Sequence, residues 1–144
     1  MKVVFNIISK NEEESAVINA AELTDSIKTA ISLLENGEAV IVGYKDGEKC
    51  SLSVSRIYYI ESVDDKSFVY TKNDCYEVRY KLYELEDTLD RRFLRVSKSM
   101  ICNIRKIRSV KASENARMKA TLLNDETIMI SRNYVKDLKK RLGL

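Results

Sequence analysis

The sequence contains no histidine and no proline, and only four glycines and three cysteines. Without histidine there is no His-based catalytic triad, no imidazole metal ligand and no proton shuttle working near neutral pH. Cys50, Cys75 and Cys102 stand 25 and 27 residues apart, so no Cys-x-x-Cys pair exists for zinc or redox chemistry. Their odd number and dispersal predict reduced, buried thiols in a cytoplasmic protein. Gly37, Gly43, Gly47 and Gly143 are too scattered to build a glycine-rich phosphate loop. No apolar run approaches the ~20 residues of a membrane-spanning helix. The apolar start, Met1 to Ile8, is too short for a signal peptide and runs directly into Lys10 and Glu12–Glu14. No catalytic residue set, metal site or cofactor is expected. The adjacent carboxylates Asp64 and Asp65 read as a turn.

What is there is a chain of 144 residues, 44% apolar and 33% charged, which suits one domain, or one domain with an appendage, around a real core. The formal net charge of +3 conceals an asymmetry. Residues 1–47 carry 4 basic and 8 acidic side chains, residues 48–90 carry 6 and 10, and residues 91–144 carry 15 and 4, a net +11. The basic residues of the last third interleave with Phe93, Leu94, Val96, Ile101, Ile104, Ile107, Val110, Leu122 and Leu123. This is a folded cationic surface, and it fits nucleic acid or another anionic partner equally well.

Periodicity gives the elements. Residues 2–8 read as a strand, and Ala16-Val17-Ile18 as a second short strand or the opening of a helix. Thr24 or Asp25 caps a helix over about 24–36, with Ile27, Ala30, Ile31 and Leu34 on one face and Gly37 at its C-terminal cap. Strands follow at 39–42, 50–54, 57–61, 68–71 and 75–78, the first two joined by the hairpin signal Asp46-Gly47. A short helix spans about 80–89. Strands return at 93–96, 104–111, 118–123 and 127–130, and a last helix covers 132–142, capped by Ser131. Short connections make sequential strands antiparallel neighbours, which predicts a mainly β protein with short helices, of the α+β type. No two helices adjoin in the basic third, which argues against a helix-turn-helix. Strands and loops would have to deliver any DNA contact. Asn103 reads as a buried turn residue. Tyr58, Tyr59, Tyr70, Tyr76, Tyr80 and Tyr83 read as cross-strand and core partners.

Certain segments carry a resemblance. Ile57-Tyr58-Tyr59-Ile60-Glu61-Ser62 is followed by the Lys66-Ser67-Phe68 loop and by Leu82-x-x-Leu85-Glu86-x-x-Leu89. Then come Arg92-Phe93-Leu94-Arg95-Val96-Ser97-Lys98-Ser99-Met100-Ile101-Cys102-Asn103 and the ending Ser131-Arg132-Asn133-Tyr134-Val135-x-x-Leu138-x-x-x-Leu142. In order and spacing these resemble the LytTR family of bacterial DNA-binding domains over about 45–142. The resemblance implies an elongated, ten-stranded antiparallel β fold whose loops enter successive major grooves. It divides the chain into an N-terminal ββα segment, 1–45, read as a dimerisation element, and a DNA-binding domain, 46–144. Paired recognition sites on double-stranded DNA need a dimer, so a homodimer is expected. Relatives of this size are often encoded beside a small membrane protein, a candidate regulator. The chain as given leaves no room for a receiver domain ahead of the DNA-binding part.

Matching the motifs puts family contact positions at Lys66-Ser67, at Ser97-Lys98 and at Arg132. Family members often carry a His-containing pair in the second loop, so the base sequence read here would differ. The chemistry agrees. Arg132 offers a bidentate fork to guanine, and Lys98, Ser67 and Lys66 can donate to base edges. Arg95, Ser97, Ser131, Asn133, Lys136 and Lys139 are expected at phosphates, the amides near Ser131 lying at a helix N-terminus. The alternative is a β-rich interaction or ligand-sensing module that turns the same basic face to an anionic protein or lipid. The face formed by Ile27, Ile31 and Leu34 belongs either to a dimer contact or to the chain's own sheet.

Overall fold

Ten strands and three helices form among the described residues, 1–36 and 39–144, of the computed structural model. They divide into two units, Met1–Gly37 and Glu38–Leu144.

The first unit holds one regular element, helix α1, Asp25–Asn36. Thr24 caps it, its Oγ1 accepting from the Ile27 N–H at 3.3 Å. Ile27, Ala30 and Ile31 are half-buried and Leu34 is exposed. The strands expected at 2–8 and 16–18 are not formed, so the ββα reading of the N-terminal segment reduces to its helix. Val3, Val4, Phe5 and Ile7 stand exposed. Their β-favouring side chains have no neighbouring strand to satisfy the backbone, and propensity without a partner does not make a strand. The cap expected at Gly37 lies outside the described residues.

The second unit is built from antiparallel pairs. Strands β1 (Val40–Lys45) and β2 (Glu48–Ser53) meet through Asp46-Gly47, both at positive φ, the left-handed backbone that a two-residue hairpin turn requires. Strands β3 (Tyr59–Val63) and β4 (Lys66–Tyr70) meet through Asp64-Asp65, again at positive φ, which aspartate tolerates better than most residues. Then come β5 (Cys75–Val78), helix α2 (Leu82–Thr88), β6 (Phe93–Ser97) and β7 (Met100–Asn103). The chain ends in β8 (Ile107–Ala112), β9 (Met118–Leu122), β10 (Thr127–Ile130) and helix α3 (Arg132–Leu142). Seven strands form one sheet in the order β2-β1-β5-β4-β3-β7-β6, and three form another in the order β10-β9-β8.

The strand expected at 104–111 starts later, because Ile104–Lys106 make a 3-10 turn. Asn103 governs that turn: its Oδ1 accepts from the Arg105 N–H at 3.1 Å, and its buried Nδ2 donates to the Ile57 carbonyl at 2.9 Å. It is the buried turn residue its neighbours suggested.

The large sheet separates two cores, as the period-2 alternation of strand side chains demands. On one face Ile60, Val69, Val78, Phe93 and Ile101 bury against Leu82 and Leu85 of α2. On the other, Tyr58, Val96 and Cys102 bury with Met118, Ala120, Leu122, Ile128 and Ile130 of the small sheet and with Leu138 of α3. Tyr59 and Tyr70, opposed across β3 and β4, stack with ring centres 4.5 Å apart. Tyr80 and Tyr83 depart from the core reading and stand exposed beside and on α2. The cysteines differ as well: Cys102 is buried, Cys50 half-buried and Cys75 exposed.

Candidate nucleic-acid interface

Strand register decides which loops share an end of the large sheet. Glu61 of β3 pairs with Met100 of β7, and the Ser62 N–H donates to the Ser99 carbonyl at 2.8 Å. The β3–β4 turn at Asp64-Asp65 and the β6–β7 turn at Lys98-Ser99 therefore lie at the same end. Ser67 of β4 pairs with Val78 of β5, so the chain leaving β5 through Arg79 to Lys81 emerges there too. The Lys81 Nζ donates to the Asp65 carbonyl at 3.2 Å.

A single backbone bond adds the third predicted segment. Strand β6 carries an irregularity between Arg95 and Ser97, which leaves Val96 without a cross-strand partner. The Val96 carbonyl instead accepts from the Ser131 N–H at 2.9 Å. This seats the start of α3 directly beside the β6–β7 turn. Lys98, Arg132 and Asn133 are exposed there, and Lys66 is exposed at the foot of the β3–β4 turn. Lys136 and Lys139 follow Arg132 four and seven residues on, which puts them on one exposed helical stripe. The opposite face of α3 holds Leu138 in the core.

Four expected residues sit differently from their sequence reading. Ser67 lies within β4, not in the loop, and is 3% exposed, so its hydroxyl does not reach the surface as Lys66 does. The turn itself lies at the positive-φ pair Asp64-Asp65, as those residues suggested, but β4 already begins at Lys66. Arg95 is turned onto its own chain: Nε donates to the Ser97 carbonyl at 2.9 Å, Nη2 to the Lys98 carbonyl, and Nη1 to Glu86 Oε2 at 2.7 Å. Ser97 is half-buried, and its Oγ accepts from the Ser99 N–H at 3.2 Å. Ser131 has the extended backbone of a helix cap, but its side chain makes no capping bond; its own N–H is held by the Val96 carbonyl.

Sequence reading missed Lys81 and Arg79, exposed cations at this same sheet end. Arg79 stacks over the Tyr44 ring at 4.2 Å. Their neighbours in sequence are Tyr80 and Tyr83, so nothing local marks them as part of the basic surface; only the β4–β5 register does. The exposed carboxylates of Asp64 and Asp65 stand at the tip of the first turn, next to Lys66.

An antiparallel β scaffold brings Lys66, Lys98 and Arg132 to one end, beside the N-terminus of α3. The chain belongs to the LytTR family: residues 47–143 match the LytTr DNA-binding domain. Among similar proteins is an uncharacterized HTH-type transcriptional regulator of Staphylococcus aureus (strain NCTC 8325 / PS 47), 29% identical over 140 residues, covering 95% of each chain. Another, from strain MSSA476, is 28% identical over 146 residues and covers 100% of this chain and 99% of its own. The LytTr DNA-binding domain of a Bacillus cereus protein superposes with a TM-score of 0.70 at 24% identity, over 75% of this chain and 100% of that one. Among the described residues α2 and α3 are separated by five strands and form no helix-turn-helix pair, whatever the class name of the relatives. No helix among them is long and apolar enough to cross a membrane.

Proposed function

We propose that this chain is a sequence-specific transcriptional regulator of double-stranded DNA, acting in the cytoplasm as a homodimer through its N-terminal unit. The β3–β4 turn, the β6–β7 turn and the start of α3 enter successive major grooves. Lys66, Lys98 and Arg132 meet base edges, and Arg132 presents the fork that fits guanine O6 and N7. The α3 N-terminus at Ser131 and Asn133 takes a phosphate, where backbone N–H groups and the helix dipole favour an anion. Lys136 and Lys139 pair with further phosphates along the same strand.

The observation that carries this reading is the 2.9 Å bond from the Ser131 N–H to the Val96 carbonyl. It joins two distant basic segments, 97–98 and 131–132, into one exposed end. The kinship with proteins named transcriptional regulators supports the biological role.

The test is selection of bound fragments from random duplex DNA, with wild type and Arg132→Ala compared at two salt concentrations. The expected result is enrichment of paired short repeats about one helical turn apart, weakened in the variant. Binding without enrichment, screened equally by salt in both proteins, would assign the basic face to a generic anionic partner and overturn the regulator reading.

A further inference from the structure

All three carbonyls of the β6–β7 turn are held from within the chain. The Ser97 and Lys98 carbonyls accept from Arg95, at 2.9 Å from Nε and from Nη2 respectively, and the Ser99 carbonyl accepts from the Ser62 N–H at 2.8 Å. The Ser97 Oγ takes the Ser99 N–H. What the turn leaves unbound is the side chain of Lys98, which is exposed and has no ion pair among the described residues. The Arg95 side chain is 21% exposed and its charge is matched by Glu86 of α2 at 2.7 Å. A planar guanidinium spreads its donors over three nitrogens in a fixed fork and so reaches two carbonyls and a carboxylate lying apart, whereas an ammonium carries all its donors on one nitrogen. The other turn is held from the same quarter, since Lys81, at the N-cap of α2, donates to the Asp65 carbonyl.

We infer that α2 is a positioning element for DNA reading and that Arg95, oriented by Glu86, is its positioning residue. It fixes the β6–β7 turn so that Lys98 meets one base pair in one geometry. Arg95 is thus a determinant of specificity without being a DNA contact. This rests on the DNA-reading assignment above. The fixed turn itself does not, so the two are tested separately.

The first measurement is on the free protein: nitrogen-15 relaxation of the amides of residues 97–100 in wild type, Arg95→Met and Glu86→Gln. The turn amides are expected to lose order in both variants while those of β3 and β9 do not change. Unchanged turn amides would overturn the clamp whether or not the protein reads DNA. Glu86 is on the exposed face of α2, so Glu86→Gln keeps the test available should Arg95→Met fail to fold.

The second measurement is binding to the selected duplex and to duplexes altered at the base pair that Lys98 reads. A well-made base contact is worth roughly 5- to 150-fold in discrimination. Arg95→Met and Glu86→Gln are each expected to lower that ratio about tenfold with the salt slope unchanged, and Arg95→Lys is expected not to restore it. A phosphate role for Arg95 gives the opposite pattern. Glu86→Gln would then free a cation and tighten binding to every duplex, Arg95→Lys would restore binding, and Arg95→Met would lower the salt slope by about one. That pattern would overturn the inference. So would loosened turns with unaltered discrimination. A wild type that shows no sequence preference would instead overturn the DNA-reading assignment and leave the relaxation result standing.

Discussion

The Ser131 N–H donates to the Val96 carbonyl across 2.9 Å, joining residues 35 positions apart in sequence. One end of α3 is thereby fixed to an irregular point of β6, and the exposed Arg132 and Lys98 come to the same end of the domain.

Arg132 and Lys136 lie on the same helical stripe, yet their losses should look different. Arg132→Ala is expected to reduce discrimination at one base pair by about 1–3 kcal/mol. Lys136→Ala is expected to weaken binding to all sequences alike and to lower the slope of log K against log salt by about one. Titrations against cognate and altered duplexes at several salt concentrations measure both quantities.

Leu138 is fully buried between α3, β6 and the small sheet. Leu138→Ala removes that contact and leaves a cavity, at a cost of about 2–5 kcal/mol. Urea unfolding should show a lower midpoint with an unchanged slope. Because the same contact holds the body of α3 against the core, DNA affinity should fall at temperatures where the variant is still folded.

Asp90 is held by Arg92, whose Nη2 lies 2.7 Å from one carboxylate oxygen. That hydrogen bond, more than any other influence, keeps the Asp90 carboxyl below its ordinary range. Its folded-state value is depressed, so the stability it contributes is present above the unfolded value of about 4 and is lost as pH falls through the folded one. Asp90→Asn should be less stable than wild type at neutral pH, and the difference should close in acid. Urea midpoints of the two proteins from pH 7 down to pH 2 decide it.

The N-terminal unit is proposed to make the dimer. Residues 1–37 are the segment to remove, since a cut at 45 would also strip β1 from between β2 and β5. The shortened chain is expected to be a folded monomer by light scattering, with weaker binding to paired sites than to single ones relative to the full chain. A shortened chain that is still a dimer would move the contact into the DNA-binding unit.

Much of this architecture is legible in the residues. Asp46-Gly47 marks its hairpin because few other pairs accept positive φ so readily, and the alternation in Cys50–Val54 follows from one face being buried. Helix α3 is readable to its last turn, where Gly143 adopts the left-handed cap. The errors have physical sources. Residues 2–8 have the composition of a strand, but composition does not supply a partner. Ser67 was displaced because either Asp64-Asp65 or the longer polar run could turn the chain, and only the register separates them. Arg95 is the instructive case. A sequence shows that a cation is present but not what neutralises it, and Glu86 lies in a different element.

The unpaired position at Val96 bears on how such a protein can diverge. An extra residue in one strand frees a carbonyl from the ladder, and that carbonyl is the hinge pin on which the start of α3 hangs. Deleting one residue between Phe93 and Ser97 would mend the ladder and unseat the helix. Substitutions at Lys66, Lys98 or Arg132 leave the pin untouched. If those side chains read DNA as proposed, descendants of this chain are expected to change target site by exchanging them, while the distance in residues from Phe93 to Met100 stays constant.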